Sequence, residues 1–220
     1  MCGRFTITLI HGFFSRFAIE NQDIELISRY NIAPTQMVPI VVGQSPNRVE
    51  MMRWGLIPFW AKDPKIGNRL INARAESIST KPAFRTSLKR KRCLVPATGF
   101  YEWKRVGRDK LPHYVRRKDG ALFAFAGLYD RWRERTAGED IPTFTIITTT
   151  PNTLLGRIHN RMPVMLKEED EPLWLRREPL EEGDLKRVFR PYPSGLMEAY
   201  PVSTAVNNPK NDTANLIERF

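Results

Sequence analysis

Cys2 directly follows the first methionine. Methionine aminopeptidase trims Met1 when the next side chain is small, so the mature chain is expected to begin with an exposed α-amine beside a thiol. An α-amine has a reference pKa of about 7.7 to 8.0 and a cysteine thiol one of about 8.5, so an appreciable fraction of the amine is unprotonated at neutral pH. Such an amine condenses with an aldehyde to a Schiff base, and the neighbouring thiol can close that imine into a five-membered thiazolidine. Ring closure is intramolecular, which makes the product longer-lived than a simple imine. Taken alone, a cysteine at a chain end is equally compatible with a frayed terminus that does nothing. Gly3 allows close backbone approach to a ligand, and Arg4 adds a cation able to seat a phosphate.

Three further groups carry candidate chemistry. Asn72, Arg74 and Glu76 share one face if Leu70 to Glu76 is extended, presenting an amide, a guanidinium and a carboxylate together; a solvated edge strand would read the same way. Glu102 lies in the aromatic run Gly99-Phe100-Tyr101-Glu102-Trp103-Lys104, with Phe100 and Lys104 on its own strand face. A carboxyl in such surroundings tends towards a raised pKa, which suits general acid or base work. His159 falls in the polar run Arg157 to Pro163, better placed for chemistry at a phosphate-bearing substrate than His11 or His113. Trp60, on the loop Ile57 to Lys62, is the first choice among the tryptophans as a stacking platform, with Trp103 also available beside Arg53, Arg74 and Arg85. Three histidines and two cysteines without close spacing argue against zinc, no cofactor is implied, and Cys93 reads as core.

The elements that must hold these residues are mostly strands. Apolar runs bounded by turn residues occur at Met37 to Gly43, Val49 to Leu56, Arg92 to Pro96, Gly99 to Lys104, Ala121 to Tyr129 and Phe144 to Thr149. Helical patterns cover Ile10 to Ile19, Lys81 to Leu88, Pro151 to Arg157 with Thr150 as its cap, Lys167 to Leu175 and Glu181 to Phe189. The order does not alternate as in a parallel α/β fold. The reading is therefore α+β: one domain over residues 1–220, with a mostly antiparallel, barrel-like sheet and peripheral helices. Lysine and arginine number 35 against 24 acidic residues, a net charge of +11 that favours a polyanionic partner. No apolar run reaches the roughly 18 residues of a membrane span and the first residues lack a secretory core, so a cytoplasmic monomer is expected, nucleoid-associated in a bacterium or nuclear in a eukaryote.

Seven ordered segments, Met1-Cys2-Gly3-Arg4-Phe5, Tyr30-Asn31-Ile32-Ala33-Pro34, Arg53-Trp54-Gly55-Leu56-Ile57-Pro58, Asn72-Ala73-Arg74-Ala75-Glu76, Arg92-Cys93-Leu94-Val95-Pro96, Gly99-Phe100-Tyr101-Glu102-Trp103 and His159-Asn160-Arg161-Met162-Pro163, resemble the SRAP family, the SOS response-associated peptidases. The resemblance implies a DNA–protein crosslink, a thiazolidine, at abasic sites of single-stranded DNA. It implies Cys2 as the crosslinking nucleophile, and Asn72 as the residue positioning it and the opened sugar. Glu102 would promote ring opening and proton transfer, and His159 would assist opening and reversal. It also implies Arg4, Arg74 and Arg161 as phosphate contacts, and Asn31 with Pro34 lining the same cleft. Two alternatives fit the same residues: a thiol peptidase with Cys2 as nucleophile and His159 as base, and a non-enzymatic single-strand binding module. Self-removal of Met1 and lyase side chemistry are compatible with the first reading.

Overall fold

β-Branched and aromatic runs build this protein, and where both faces of a strand are covered they lose their alternation: Phe123 to Leu128 is buried at every position. The computed structural model describes residues 2–8, 11–43, 46–134 and 138–220. The strands among them are β1 (Phe5–Ile7), β2 (Arg29–Ile32), β3 (Met37–Val42), β4 (Arg48–Trp54), β5 (Asn72–Arg74), β6 (Arg92–Ala97), β7 (Gly99–Val106), β8 (Asp109–Arg117), β9 (Phe123–Arg133), β10 (Asp140–Thr149), β11 (Met162–Pro163) and β12 (Met197–Pro201). The α-helices are short: α1 (Phe13–Arg16), α2 (Arg85–Arg90), α3 (Glu171–Leu175) and α4 (Glu182–Val188).

β10, β4, β3, β6 and β9 form a ring that closes because β9 pairs with β10 as well as with β6. Its pairings are antiparallel except that of β4 with β10, where Arg53 and Trp54 face Thr143 and Phe144. Closure removes exposed sheet edges. A second, open antiparallel sheet runs β12-β8-β7-β1-β2. Phe5 of β1 joins the two, its ring meeting Trp54 at 5.1 Å and Phe125 at 6.0 Å edge-on. Each such pair contributes ~0.5–1.5 kcal/mol beyond area burial. The residues just before Phe5 are thereby fixed where the sheet meets the barrel.

The far end of β10 outgrows its neighbours. Asp140 to Ile146 pairs with β9, but Thr148 and Thr149 pair with β11 on that side, and Ile146 to Thr148 pairs with β5 on the other. The barrel rim is built here from short pieces, so the loops entering β5 and β11 converge on one place.

The helical expectations shorten. Ile10 lies outside the described residues, and α1 is confined to Phe13–Arg16 because Gly12 and Ala18 both take positive φ, 78° and 47°. The pattern at Lys81 to Leu88 becomes helical only from Arg85, beyond Pro82, and runs to Arg90. Pro151 to Arg157 reduces to a 3-10 turn at Leu155–Arg157 whose N-cap position is Leu154 rather than Thr150, and Asn152 Oδ1 accepts from the backbone N–H of Leu154 and Leu155 at 3.1 and 2.9 Å in the turn that leads into it. Lys167 to Leu175 begins as a 3-10 turn before α3, while α4 forms as patterned, with a reciprocal cap between Glu181 and Asp184.

Candidate active site

Strand alternation delivers Glu102. Tyr101 and Trp103 turn to one face of β7 and pack with Tyr114 and Tyr200, so Glu102 must point to the other, where it is 2% exposed. Burial is the main cause pushing its carboxyl above the ordinary range, opposed by the positive charge of His159.

Cys2 departs from the expected exposure, because its side chain is fully buried beside the aromatic core that Phe5 enters. Burial, and secondarily the Glu102 carboxylate, drive its thiol far above the usual range. The following segment is sewn to β7: the Tyr101 N–H donates to the Arg4 carbonyl at 3.0 Å, and Cys2 Sγ lies 3.9 Å from the same oxygen. Asn72, at the start of β5, donates from Nδ2 to the Cys2 carbonyl at 2.9 Å, and its Oδ1 is buried without a hydrogen-bond partner among the described residues. His159 Nδ1 lies within hydrogen-bonding range of two groups of Arg161, the backbone N–H at 3.0 Å and the carbonyl at 3.3 Å, which hold the ring in place. Thus Cys2, Asn72, Glu102 and His159, from four separate segments, are gathered at the junction of sheet and barrel.

The other predicted residues divide. Arg161 is two-pronged to Glu76, Nη1 to Oε1 at 2.6 Å and Nη2 to Oε2 at 2.9 Å, and donates to the Thr148 carbonyl at 2.6 Å. That pairing is the leading cause holding the Glu76 carboxyl below its ordinary range. Glu76 itself has left the strand, because β5 ends at Arg74 and a 3-10 turn follows, so the expected three-residue face is two residues long.

Arg4 is committed internally: Nη1 donates to Asn31 Oδ1 at 2.9 Å and to the Val206 carbonyl at 2.8 Å, and Nη2 to the Asn207 carbonyl at 3.3 Å. Asn31 is fully buried, and its Nδ2 lies within hydrogen-bonding range of the carbonyls of Val206, Asn208 and Asn211. Asn31 is enclosed and Arg4 half-buried, so both direct polar atoms into the protein. Together they tie the Cys2 segment to the C-terminal stretch. The sequence reading missed this role for residues 206–212, although buried asparagine in the Tyr30-Asn31-Ile32-Ala33-Pro34 segment was the available signal.

Gly3 and Pro34 are half-buried; Arg74 and Arg85 are exposed. Trp60 is 48% exposed on the loop after β4, whereas half-buried Trp103 donates Nε1 to Asn207 Oδ1 at 2.8 Å. Cys93 is fully buried, as a core thiol should be. Among the described residues no three His, Cys, Asp or Glu side chains gather in a metal-binding group, and no helix is long and apolar enough to cross a membrane.

The family model described as SOS response associated peptidase (SRAP) matches residues 1–209. The abasic site processing protein YoqW of Bacillus subtilis is 46% identical over 223 residues, covering 99% of each chain. The abasic site processing protein YedK of Escherichia coli is 31% identical, again over 99% of each. The abasic site processing protein HMCES of Xenopus tropicalis is 33% identical over 84% of this chain and 64% of its own length. A solved structure of a Bacteroides thetaiotaomicron protein matches with a TM-score of 0.90 over the full length of both chains at 31% identity.

Proposed function

The chain belongs to the SOS response associated peptidase family, and for it we propose covalent capture of abasic sites in single-stranded DNA through Cys2. Met1, outside the described residues, must first be removed, because only then is the Cys2 nitrogen an amine rather than an amide. The amine adds to the C1′ aldehyde of the ring-opened deoxyribose to give a carbinolamine, which loses water to become an imine. The thiol then adds to the imine carbon while its proton passes to the nitrogen, closing the thiazolidine. One water leaves overall, with no oxidant and no cofactor.

The observation that carries this reading is the Asn72 hydrogen bond to the Cys2 carbonyl, in a group that joins buried Cys2 and Glu102 to half-buried Asn72 and His159. It fixes the first residue of the mature chain, and the remaining Asn72 Oδ1 offers an acceptor to the new amine or to a sugar hydroxyl. A carboxyl raised by burial gives and takes back a proton closer to neutral pH than an ordinary one, which suits Glu102 to opening the sugar and dehydrating the carbinolamine, with His159 sharing the transfers. The elevated thiol pKa favours amine-first attack and disfavours a thiolate peptidase, which would need a lowered one. In this reading Arg74 and Arg85 contact phosphates, Trp60 stacks on a base, and the net charge of +11 makes binding fall with salt.

Intact-protein mass spectrometry tests it, before and after incubation with a single-stranded oligonucleotide carrying one abasic site. The expected result is a protein lacking Met1 that gains the mass of the oligonucleotide less one water, and no gain with an unmodified strand. Retention of Met1, or no adduct at low salt, overturns the proposal.

A further inference from the structure

β7 does not end at the site. Beyond Glu102 it runs on through Lys104, Arg105 and Val106, turns at Gly107, and returns as Asp109, Lys110 and Leu111 of β8. Gly107 has φ +61°, the first-position glycine that a tight two-residue hairpin turn requires. From Lys104 to Leu111 every residue is exposed, so the hairpin extends from the domain as a solvated two-stranded ribbon. Glu102 to Val106 spans roughly 13 Å at about 3.3 Å per residue.

The ribbon is strongly basic. It carries Lys104, Arg105, Arg108 and Lys110 against the single carboxylate Asp109, and four minus one leaves three positive charges. Among the described residues none of the four cations enters an ion pair, whereas Arg16, Arg117, Arg161 and Arg176 all do. Register adds an apolar component. Lys104 lies opposite Leu111 and Val106 opposite Asp109, so the face that bears Glu102 continues outward through Lys104, Asp109 and two exposed apolar side chains, Val106 at 49% and Leu111 at 42%, while Arg105 and Lys110 pair on the other face. Unpaired cations beside exposed apolar side chains suit a single strand, with phosphates for the first and base faces for the second.

We infer that the β7–β8 hairpin is a strand-holding arm, gripping the DNA on one side of the nucleotide captured at Cys2. The partner's identity rests on the proposed function; the arm's position rests on the continuity of β7 from Glu102.

The test uses the full protein and two fluorescent single strands bearing a tetrahydrofuran abasic analogue, which has no aldehyde, placed near the 5′ end of one and the 3′ end of the other. Binding is read by anisotropy between about 0.05 and 0.2 M salt. In the variant Lys104→Gln, Arg105→Gln, Arg108→Gln, Lys110→Gln, affinity should fall about tenfold or more for one strand and little for the other. The slope of log K against log salt should lessen by about 0.7 for each phosphate that the variant no longer neutralises. The charge-conserving variant Lys104→Arg, Lys110→Arg should match the parent, which ties the loss to charge, and a melting curve of the glutamine variant equal to the parent's excludes misfolding of the ribbon as the cause. Unchanged slopes and affinities for both strands, or equal losses on both, overturn the inference. Crosslinking of the parent to an aldehyde-bearing strand is scored separately: its failure counts against capture by Cys2, while the binding curves judge the arm.

Discussion

Asn72 Nδ2 donates to the Cys2 carbonyl at 2.9 Å across 70 residues of sequence, joining the start of β5 to the first residue that the proposed chemistry uses. One such bond contributes a net ~1 kcal/mol, and here it also sets the direction in which the Cys2 nitrogen points. Asn72→Ala should slow crosslinking about tenfold, equivalent to ~1.4 kcal/mol in the barrier, with affinity for a tetrahydrofuran-bearing strand unchanged. Single-turnover time courses on gels measure the rate, and a rate equal to the parent's would remove Asn72 from the positioning role.

Glu102 gives a pH prediction whose sign is opposite to that of most carboxylates. Its folded pKa is raised above the unfolded value, chiefly by burial, so the folded state binds the proton more tightly and stability declines as pH rises from the ordinary carboxylate range through the folded pKa. Glu102→Gln removes that titration. The variant should melt at a higher temperature than the parent at pH 7, with the difference shrinking towards pH 4, while crosslinking slows. Melting curves at the two pH values decide the matter, and a variant less stable at pH 7 would mean that Glu102's ionic partners outweigh its burial.

The barrel strands were legible because they are apolar and bounded by turns, and β3, β6 and β10 lie where Met37 to Gly43, Arg92 to Pro96 and Phe144 to Thr149 indicate. β8 was not, since Asp109 to Arg117 reads as charged: only its second half enters the core, and its first half belongs to the exposed ribbon. β5 and β11 span three and two residues, too short for any period, and exist because the end of β10 offers both of its edges. The residues of the proposed chemistry were legible as types, Cys2 from its position and Glu102 from its aromatic flanks. The burial of Cys2 was not, because it depends on Phe5 docking against Trp54 and Phe125 from distant strands. The internal partners of Arg4 and Asn31 were illegible for the same reason, as they lie about 200 and 180 residues away in the C-terminal stretch.

That internal commitment separates Arg4 from Arg74. Arg4→Ala would leave Asn31 Oδ1 and the Asn207 carbonyl without their donor and the Val206 carbonyl with Asn31 Nδ2 alone, a loss of about 2 kcal/mol that should appear as a lower melting temperature and slower crosslinking. The salt dependence of DNA binding should stay as in the parent. Arg74→Gln, at an exposed position beside Asn72, should leave melting unchanged within about 0.5 kcal/mol and lessen the salt slope by about 0.7. Salt titrations of the two variants side by side test the division, and a reduced slope for Arg4→Ala would return Arg4 to the phosphate contacts.

Cys2→Ala separates the two nucleophiles. Its N-terminal side chain is still small enough for Met1 to be trimmed, so the amine remains and the imine still forms, but nothing closes the ring. A stable adduct should therefore be absent under ordinary conditions and appear when borohydride is present during incubation, reducing the imine to an amine. Strand scission by β-elimination should rise in step, because the open imine persists where the parent would trap it as thiazolidine. Denaturing gels with and without reductant report both products. A stable adduct without reductant would assign the crosslink to a group other than the thiol, and failure to trap with reductant would assign the first attack to a group other than the Cys2 amine.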